Sequence, residues 1–106
     1  GSLAAEAQYY DAYFKRKEDS FEASNEAAQI LARDYSGYKK WGAKGLLLMG
    51  QNFYDLDDAY QATYILDALI ENFQSYPDVV EEAKAELARI KSEQAETNSS
   101  VEAEQN

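Results

Sequence analysis

Residues 41–76 read WGAKGLLLMGQNFYDLDDAYQATYILDALIENFQSY, and this stretch decides the fold. Its first half holds the apolar run 46–49 (LLLM), which leaves almost no polar side on a helix and therefore predicts a buried one. Between the halves, the segment 55–58 (DLDD) places carboxylates where a new helix would start. The second half spaces apolar residues along one helical face, at Ala62, Ile65, Leu66, Leu69, Ile70 and Phe73. The stretch predicts a two-helix hairpin whose first helix has neighbours on both sides.

The composition favours one small all-α domain. The chain has 106 residues, of which 45% are apolar, with one proline and five glycines. Its net charge of −10 argues against binding to nucleic acid or to an anionic membrane, since both reward clusters of Lys and Arg. The central apolar run is far too short to span a bilayer, so we expect no direct membrane insertion.

About five helices are expected. Helical spacing predicts one hairpin over residues 3–35, a second over 41–73, and a fifth helix over 78–91 with Pro77 at its start. Gly1 and Ser2 have the character of a cloning remnant. Residues 92–106 contain four glutamates and no basic residue, and we predict an acidic, disordered tail there because the segment has little apolar surface to bury.

The chain also repeats itself. Residues 14–31 align with residues 53–70 at an offset of 39, and the alignment continues at an offset of 38 after one residue is lost, where Asp34-Tyr35 pairs with Asn72-Phe73. The pairs at the offset of 39 are Phe14/Phe53, Asp19/Asp58, Phe21/Tyr60, Ala23/Ala62, Ile30/Leu69 and Leu31/Ile70. Two hairpins of this length plus a fifth helix predict a short solenoid.

The second hairpin resembles the tetratricopeptide repeat. That pattern is W-x2-L-G-x2-Y, then A-x3-F, then proline. Gly50 and Ala62 are identical to the pattern, and Met49 and Phe53 are conservative replacements. Leu46 stands in the place of the tryptophan and Leu66 in that of the phenylalanine, and Pro77 comes about three residues late. The first hairpin is more degenerate, with Asp11 where a small residue belongs. The resemblance implies a right-handed, helical-hairpin solenoid. The ending of residues 72–87 (NFQSYPDVVEEAKAEL) is similar to repeats of bacterial cell-envelope proteins, which implies the C-terminal part of a larger envelope protein.

The resemblance also implies a binding groove. In tetratricopeptide proteins the first helix of each hairpin lines the concave surface. Carried over through the Leu46/Gly50/Phe53 register, this gives four groove candidates in the second hairpin and three in the first: Lys44, Leu47, Gln51 and Tyr54, then Gln8, Ala12 and Lys15. These lack the Lys and Asn set with which some relatives bind a terminal carboxylate, so that mode is not expected. The same residues equally suit contact with neighbouring repeats of a longer chain.

Catalytic and metal chemistry find little support. The chain has no histidine and no cysteine, which removes the commonest general base, metal ligands and strong nucleophile. The aspartates of 55–58 do not form a calcium loop, because Tyr60 stands where the loop needs glycine and Leu66 where it needs a bidentate glutamate. We therefore expect no enzyme, no metal and no cofactor.

The function predicted from these observations is protein–protein interaction, as a scaffold or the end piece of a longer repeat array. One alternative is an acidic decoy for a basic protein, because residues 45–83 contain eight acidic side chains and no Lys or Arg. Another is a purely structural capping or oligomerisation segment. The partners expected are a protein or peptide, neighbouring repeats of the parent chain, and a weakly associated second copy contacting helix one through its aromatic residues Tyr9, Tyr10, Tyr13 and Phe14.

Overall fold

The computed structural model describes the backbone of residues 1–105 and the side chains of residues 1–99. Within those residues the chain forms five α-helices and no strand, which confirms the all-α prediction. The helices are α1 (Ser2–Lys17), α2 (Phe21–Asp34), α3 (Lys39–Asp55), α4 (Ala59–Asn72) and α5 (Pro77–Gln105).

The helices pack in chain order. Each helix contacts the next one along the chain, and α3 additionally contacts both α1 and α5. Over the described residues, α2 and α4 share no contact, and α1 and α5 lie on either side of α3 without touching. Because α1 and α5 flank α3 but remain apart, the surface of α3 between them is the floor of a groove.

Matching turns close the two hairpins. Asp19 has φ of 62° and Asp57 has φ of 65°, so both adopt the left-handed conformation that aspartate tolerates better than most residues. The backbone N–H of Ser20 donates to the carbonyl of Lys15, and that of Asp58 donates to the carbonyl of Phe53. This is the six-to-one bond of a Schellman helix end. The positive φ and this hydrogen bond recur at an offset of 38 residues, so the offset of 39 predicted for residues 14–31 was wrong by one.

Two apolar clusters form the core, and a polar network lies between the hairpins. Leu66, Leu69 and Ile90 are fully buried in the cluster of α3, α4 and α5, while smaller residues such as Ala12 and Ala27 fill the cluster of α1, α2 and α3. In the polar network, the amide nitrogen of Asn52 donates to Ser24 Oγ at 2.8 Å and to Asn25 Oδ1 at 2.9 Å, and Ser24 Oγ donates to the carbonyl of Ala12. The network joins α1, α2 and α3 with its buried polar atoms paired.

The fifth helix is longer than predicted. It was expected to end at residue 91 before a disordered tail, whereas α5 continues to Gln105. The segment contains no proline or glycine and is rich in alanine, glutamate and glutamine, which favour helix without needing burial. Glu93 anchors its first part, because Glu93 accepts hydrogen bonds from the Tyr54 hydroxyl and from Arg89. The side chains of residues 94–99 are exposed, and their backbone continues the helix.

Candidate functional site

A groove of about 930 Å³ runs over α3, with α1 on one side and the start of α5 on the other. Helix α3 contributes the residues along its floor, including Lys44, Leu47 and Gln51. The α1 side contributes Tyr9, Tyr13, Arg16 and Lys17, and the α5 side contributes Tyr76, Asp78, Val79 and Glu82. A groove of this size, lined by aromatic and charged side chains, is a candidate for binding.

Aromatic rings cover the α1 side of the groove. Tyr9 and Tyr13 lie one helical turn apart, with ring centroids separated by 6.1 Å. Trp41, at the start of α3, packs against Tyr9 at 5.5 Å. The i,i+4 spacing of the tyrosines explains why both point to the same side of α1. Large, stiff and amphipathic rings of this kind are favoured where a protein surface receives a partner.

Three lysines stand over these rings. Lys44 Nζ lies 5.5 Å from the Tyr9 ring centroid and 5.1 Å from that of Trp41. Lys40 Nζ lies 5.2 Å from the Trp41 centroid, and Lys17 Nζ lies 5.4 Å from that of Tyr13. These distances are within the range of cation–π attraction. Among the described side chains, none of the three ammonium groups has a carboxylate within 4.0 Å. They therefore remain available to an anionic group.

Arg16, the fourth cation of the groove, is already bonded within the protein. Its Nη1 donates to Asn52 Oδ1 at 3.0 Å and to Asp55 Oδ2 at 2.8 Å. The guanidinium joins the end of α1 to the buried polar network and to the end of α3. Its first role is therefore to hold the two hairpins together at one end of the groove.

The opposite side of the groove is acidic. Asp78 and Glu82 of α5 line this side, and α3 separates them from the α1 side. Burial, together with the neighbouring Tyr10 and Tyr13 and then Glu82, raises the pKa of Tyr9 to about 12. The Tyr9 hydroxyl, protonated at neutral pH like that of any tyrosine, keeps its proton further into the alkaline range and can donate a hydrogen bond into the groove.

Three of the seven predicted groove residues do line this groove. Lys44, Leu47 and Gln51 lie along α3 as the second-hairpin register implied. Leu47 is mostly buried under the groove surface, and Gln51 Nε2 approaches Glu86 Oε1 at 3.4 Å. That these three residues contact a partner stays a prediction.

The other four predicted residues lie elsewhere. Gln8 Nε2 donates to the carbonyl of Ala27 at 2.9 Å, so its side chain is directed at α2. Ala12 is fully buried between α1, α2 and α3. Lys15 forms an exposed ion pair with Asp11 at 3.0 Å. Tyr54 packs against α5, where its hydroxyl donates to Glu93 Oε1 at 2.6 Å.

The error on α1 has a single cause. At the observed offset of 38, the counterparts of Leu47, Gln51 and Tyr54 are Tyr9, Tyr13 and Arg16, one residue beyond those predicted. One residue rotates a helical position by about 100°, from 3.6 residues per turn, which moves a side chain from one face to another. The correct register was present in the sequence, because Asp34-Tyr35 and Asn72-Phe73 already align at 38. The offset is therefore 38 in both parts of the alignment, and the loss of one residue that was assumed between them does not occur.

Comparison with known proteins identifies no protein similar to this chain. No family model, curated protein or solved structure matches the chain. The described residues contain no group of His, Cys, Asp and Glu side chains able to hold a metal ion. None of the described helices has the length and hydropathy needed to cross a membrane.

Proposed function

We propose that the protein is a non-enzymatic interaction module of the tetratricopeptide kind, which binds a peptide segment of a partner protein in the groove over α3. One observation carries this proposal. The groove places the ring of Tyr9 beside the ammonium group of Lys44 and the ring of Tyr13 beside that of Lys17, and no carboxylate among the described side chains lies within 4.0 Å of either ammonium group.

The helix arrangement supports a solenoid. Helices α1, α3 and α5 contact one another in succession, whereas α2 and α4 contact only the helices next to them in the chain. Two turns with the same backbone geometry recur 38 residues apart. A stack of hairpins whose first helices share one surface is the arrangement that tetratricopeptide proteins use to present a concave groove.

The groove chemistry favours a peptide that combines apolar and acidic residues. Tyr9, Tyr13 and Tyr76 offer ring surface to an apolar side chain. Lys40 and Lys44 offer two cations to carboxylates of the partner. The acidic α5 side, with Asp78 and Glu82, repels the carboxylates of the peptide and so orients the peptide in the groove. Although the chain has a net charge of −10, this groove gathers as many basic as acidic side chains and can accept an acidic segment.

The test is selection of binders from a randomised peptide library displayed against the full chain, followed by affinity measurement from fluorescence anisotropy. Tyr13→Ser and Lys44→Glu, made separately, are expected to weaken the selected peptides by about tenfold or more, equal to about 1.4 kcal/mol each. Tyr64→Ser and Lys84→Glu are the matched controls, because both residues are exposed and lie outside the groove. These two variants should bind as the parent chain does.

Two outcomes would contradict the proposal. If the selected peptides bind both groove variants with the affinity of the parent chain but no longer bind Tyr64→Ser, the binding surface lies on α4. Failure of every acidic peptide, together with salt-sensitive binding of a basic protein such as a histone, would favour the acidic surface of residues 45–83 instead.

A further inference from the structure

One face of α1 exposes an apolar stripe on the outer end of the helix stack. The stripe consists of Leu3, Ala7, Tyr10 and Phe14, which the spacing of four, three and four residues places on a single side of the helix. Leu3 is 80% exposed, Phe14 is 59% exposed and Tyr10 is 38% exposed. Tyr10 packs against Trp41 of α3, with ring centroids 6.2 Å apart, while Leu3, Ala7 and Phe14 are exposed.

Three of the four stripe positions recur as apolar residues of α5, 76 residues later at twice the repeat offset of 38, while Glu86 stands in the place of Tyr10. Val79 stands in the place of Leu3, Ala83 in that of Ala7, and Ile90 in that of Phe14. These three residues of α5 are 7%, 0% and 0% exposed. They belong to the core cluster that α3 and α4 form with α5. In α5, therefore, the stripe is the contact surface with the preceding hairpin.

Helix α3 uses the corresponding face in the same way. Gly45 stands in the place of Ala7, and a Cβ built on it would lie 2.9 Å from Leu31 Cδ2 of α2. Leu48, in the place of Tyr10, is buried against α1 and α2. Asn52, in the place of Phe14, bonds to Ser24 and Asn25 of α2. Both internal copies of the stripe are thus covered by the hairpin before them, and only the copy on α1 is open.

We infer that the stripe on α1 is a docking surface for a helical hairpin of the α3–α4 kind, joined ahead of α1 as α4 is joined to α5. The apolar residues of the stripe fit a hairpin like α3–α4 better than a hairpin like α1–α2. Phe14 is apolar like Ile90, and Ile90 packs in the all-apolar cluster that includes Leu66. A hairpin carrying the amide of Asn25 at this place would leave it facing Phe14 without a hydrogen-bond partner, which is costly when buried.

A second copy of the chain fits the stripe less well. Two α1 helices in contact would cover one four-residue stripe each, well short of the roughly 800 Å² per partner of a stable interface. A head-to-tail copy would bring the outer face of α5 against the stripe, and that face exposes Glu81, Lys84 and Arg89. Charged side chains would then lose water against Leu3 and Phe14 without gaining partners.

The experiment extends the full chain with a copy of residues 39–76 placed directly ahead of Gly1, which reproduces the junction between Tyr76 and Pro77. We expect a single cooperative urea transition at a higher midpoint than that of the present chain. Phe14→Glu should lower the midpoint of the extended chain and leave that of the present chain unchanged. Tyr64→Glu is the matched control, because Tyr64 is 65% exposed and lies outside the stripe. It should act equally in the two chains.

Several results would overturn the inference. An extended chain that does not fold, or that unfolds in two separate transitions, would show that the hairpin does not dock on α1. Equal effects of Phe14→Glu in both chains would show the same. Concentration-dependent sedimentation of the present chain that Phe14→Glu abolishes would assign the stripe to a second copy. This test does not involve the groove over α3, so its result is independent of peptide binding.

Discussion

Leu66 lies directly beneath Gly50, so that a Cβ built on Gly50 would stand 2.7 Å from Leu66 Cδ2 and 2.8 Å from Leu66 Cγ. Real Cβ atoms do not approach other carbons so closely. The absent side chain at residue 50 therefore lets α3 and α4 pack against each other around a fully buried leucine. This close approach sets the geometry of the second hairpin and, through α3, the floor of the groove.

Replacing Gly50 with leucine should destabilise the protein. Overpacking a filled core usually costs roughly 1–3 kcal/mol, and the clash here involves Leu66 Cγ as well as a terminal methyl group. Gly42→Leu is the control, because a Cβ at Gly42 meets nothing within 4 Å. It lies in the same helix and should stabilise by about 0.5–1 kcal/mol through helix propensity. Urea unfolding of both variants decides the point, and equal free energies would refute this account of the contact.

Asn52 is the second position where a single side chain organises the packing. It is fully buried, donates to Ser24 and Asn25, and accepts from Arg16. We expect Asn52→Leu to cost about 1–3 kcal/mol, because Asn25 and Arg16 would lose a buried partner. Asn72→Leu serves as the control, since Asn72 is exposed at the end of α4, and a change within about 0.5 kcal/mol is expected. Similar unfolding free energies for the two variants would mean that the network adds nothing.

Much of this architecture could be predicted from apolar spacing, and the errors came from effects that spacing does not encode. The α3 groove residues Lys44, Leu47 and Gln51 followed from one well-formed repeat. The α1 residues failed because a single residue of register rotates every side chain by about 100°. The polar network around Asn52 was not predicted, because its partners come from three helices and only the assembled fold brings them together.

The length of α5 was missed for a different reason. The prediction of a tail rested on the lack of apolar surface after residue 91, which bears on burial rather than on helix formation. Backbone hydrogen bonds within a helix are satisfied locally, and the anchor at Glu93 comes from Tyr54, 39 residues away in the sequence. A contact at that distance cannot be inferred from local composition.

Deleting residues 95–106 should separate helix content from stability. Circular dichroism should lose helical signal, because α5 runs to Gln105. The free energy of unfolding should change by no more than about 0.5 kcal/mol, because the side chains of residues 95–99 are exposed. A longer deletion from residue 93 is the comparison, since it also removes the contacts of Glu93 with Tyr54 and Arg89. An unchanged helical signal after the shorter deletion would contradict the length of α5.

The carboxyl of Glu93 should titrate below its ordinary range. Hydrogen bonds from the Tyr54 hydroxyl and from Arg89 lower the pKa of Glu93. A depressed folded-state pKa contributes stability above the unfolded-state pKa, and this contribution is lost as pH falls through the folded-state pKa. Tyr54→Phe should raise the pKa of Glu93 and reduce this acid dependence, as measured by NMR titration of the carboxyl carbon. Tyr64→Phe, on the exposed side of α4, should leave the titration of Glu93 unaltered.

Tyr9 gives a pH dependence of opposite sign at the alkaline end. Burial and the neighbouring Tyr10, Tyr13 and Glu82 raise the pKa of Tyr9 to about 12 from a model-compound value of 10.0. Above pH 10 the unfolded chain releases this proton while the folded chain retains it, so the unfolded state is favoured. The contribution of Tyr9 is therefore complete below pH 10 and declines between pH 10 and about 12. The hydrogen bond from the Tyr54 hydroxyl to Glu93 raises the pKa of Tyr54 as well. Absorbance of tyrosinate during alkaline titration should therefore show a late phase whose amplitude Tyr9→Phe reduces and Tyr64→Phe leaves unchanged. If Tyr9→Phe leaves the amplitude of the late phase unchanged, Tyr9 does not have the buried position beneath Lys44 that the groove requires.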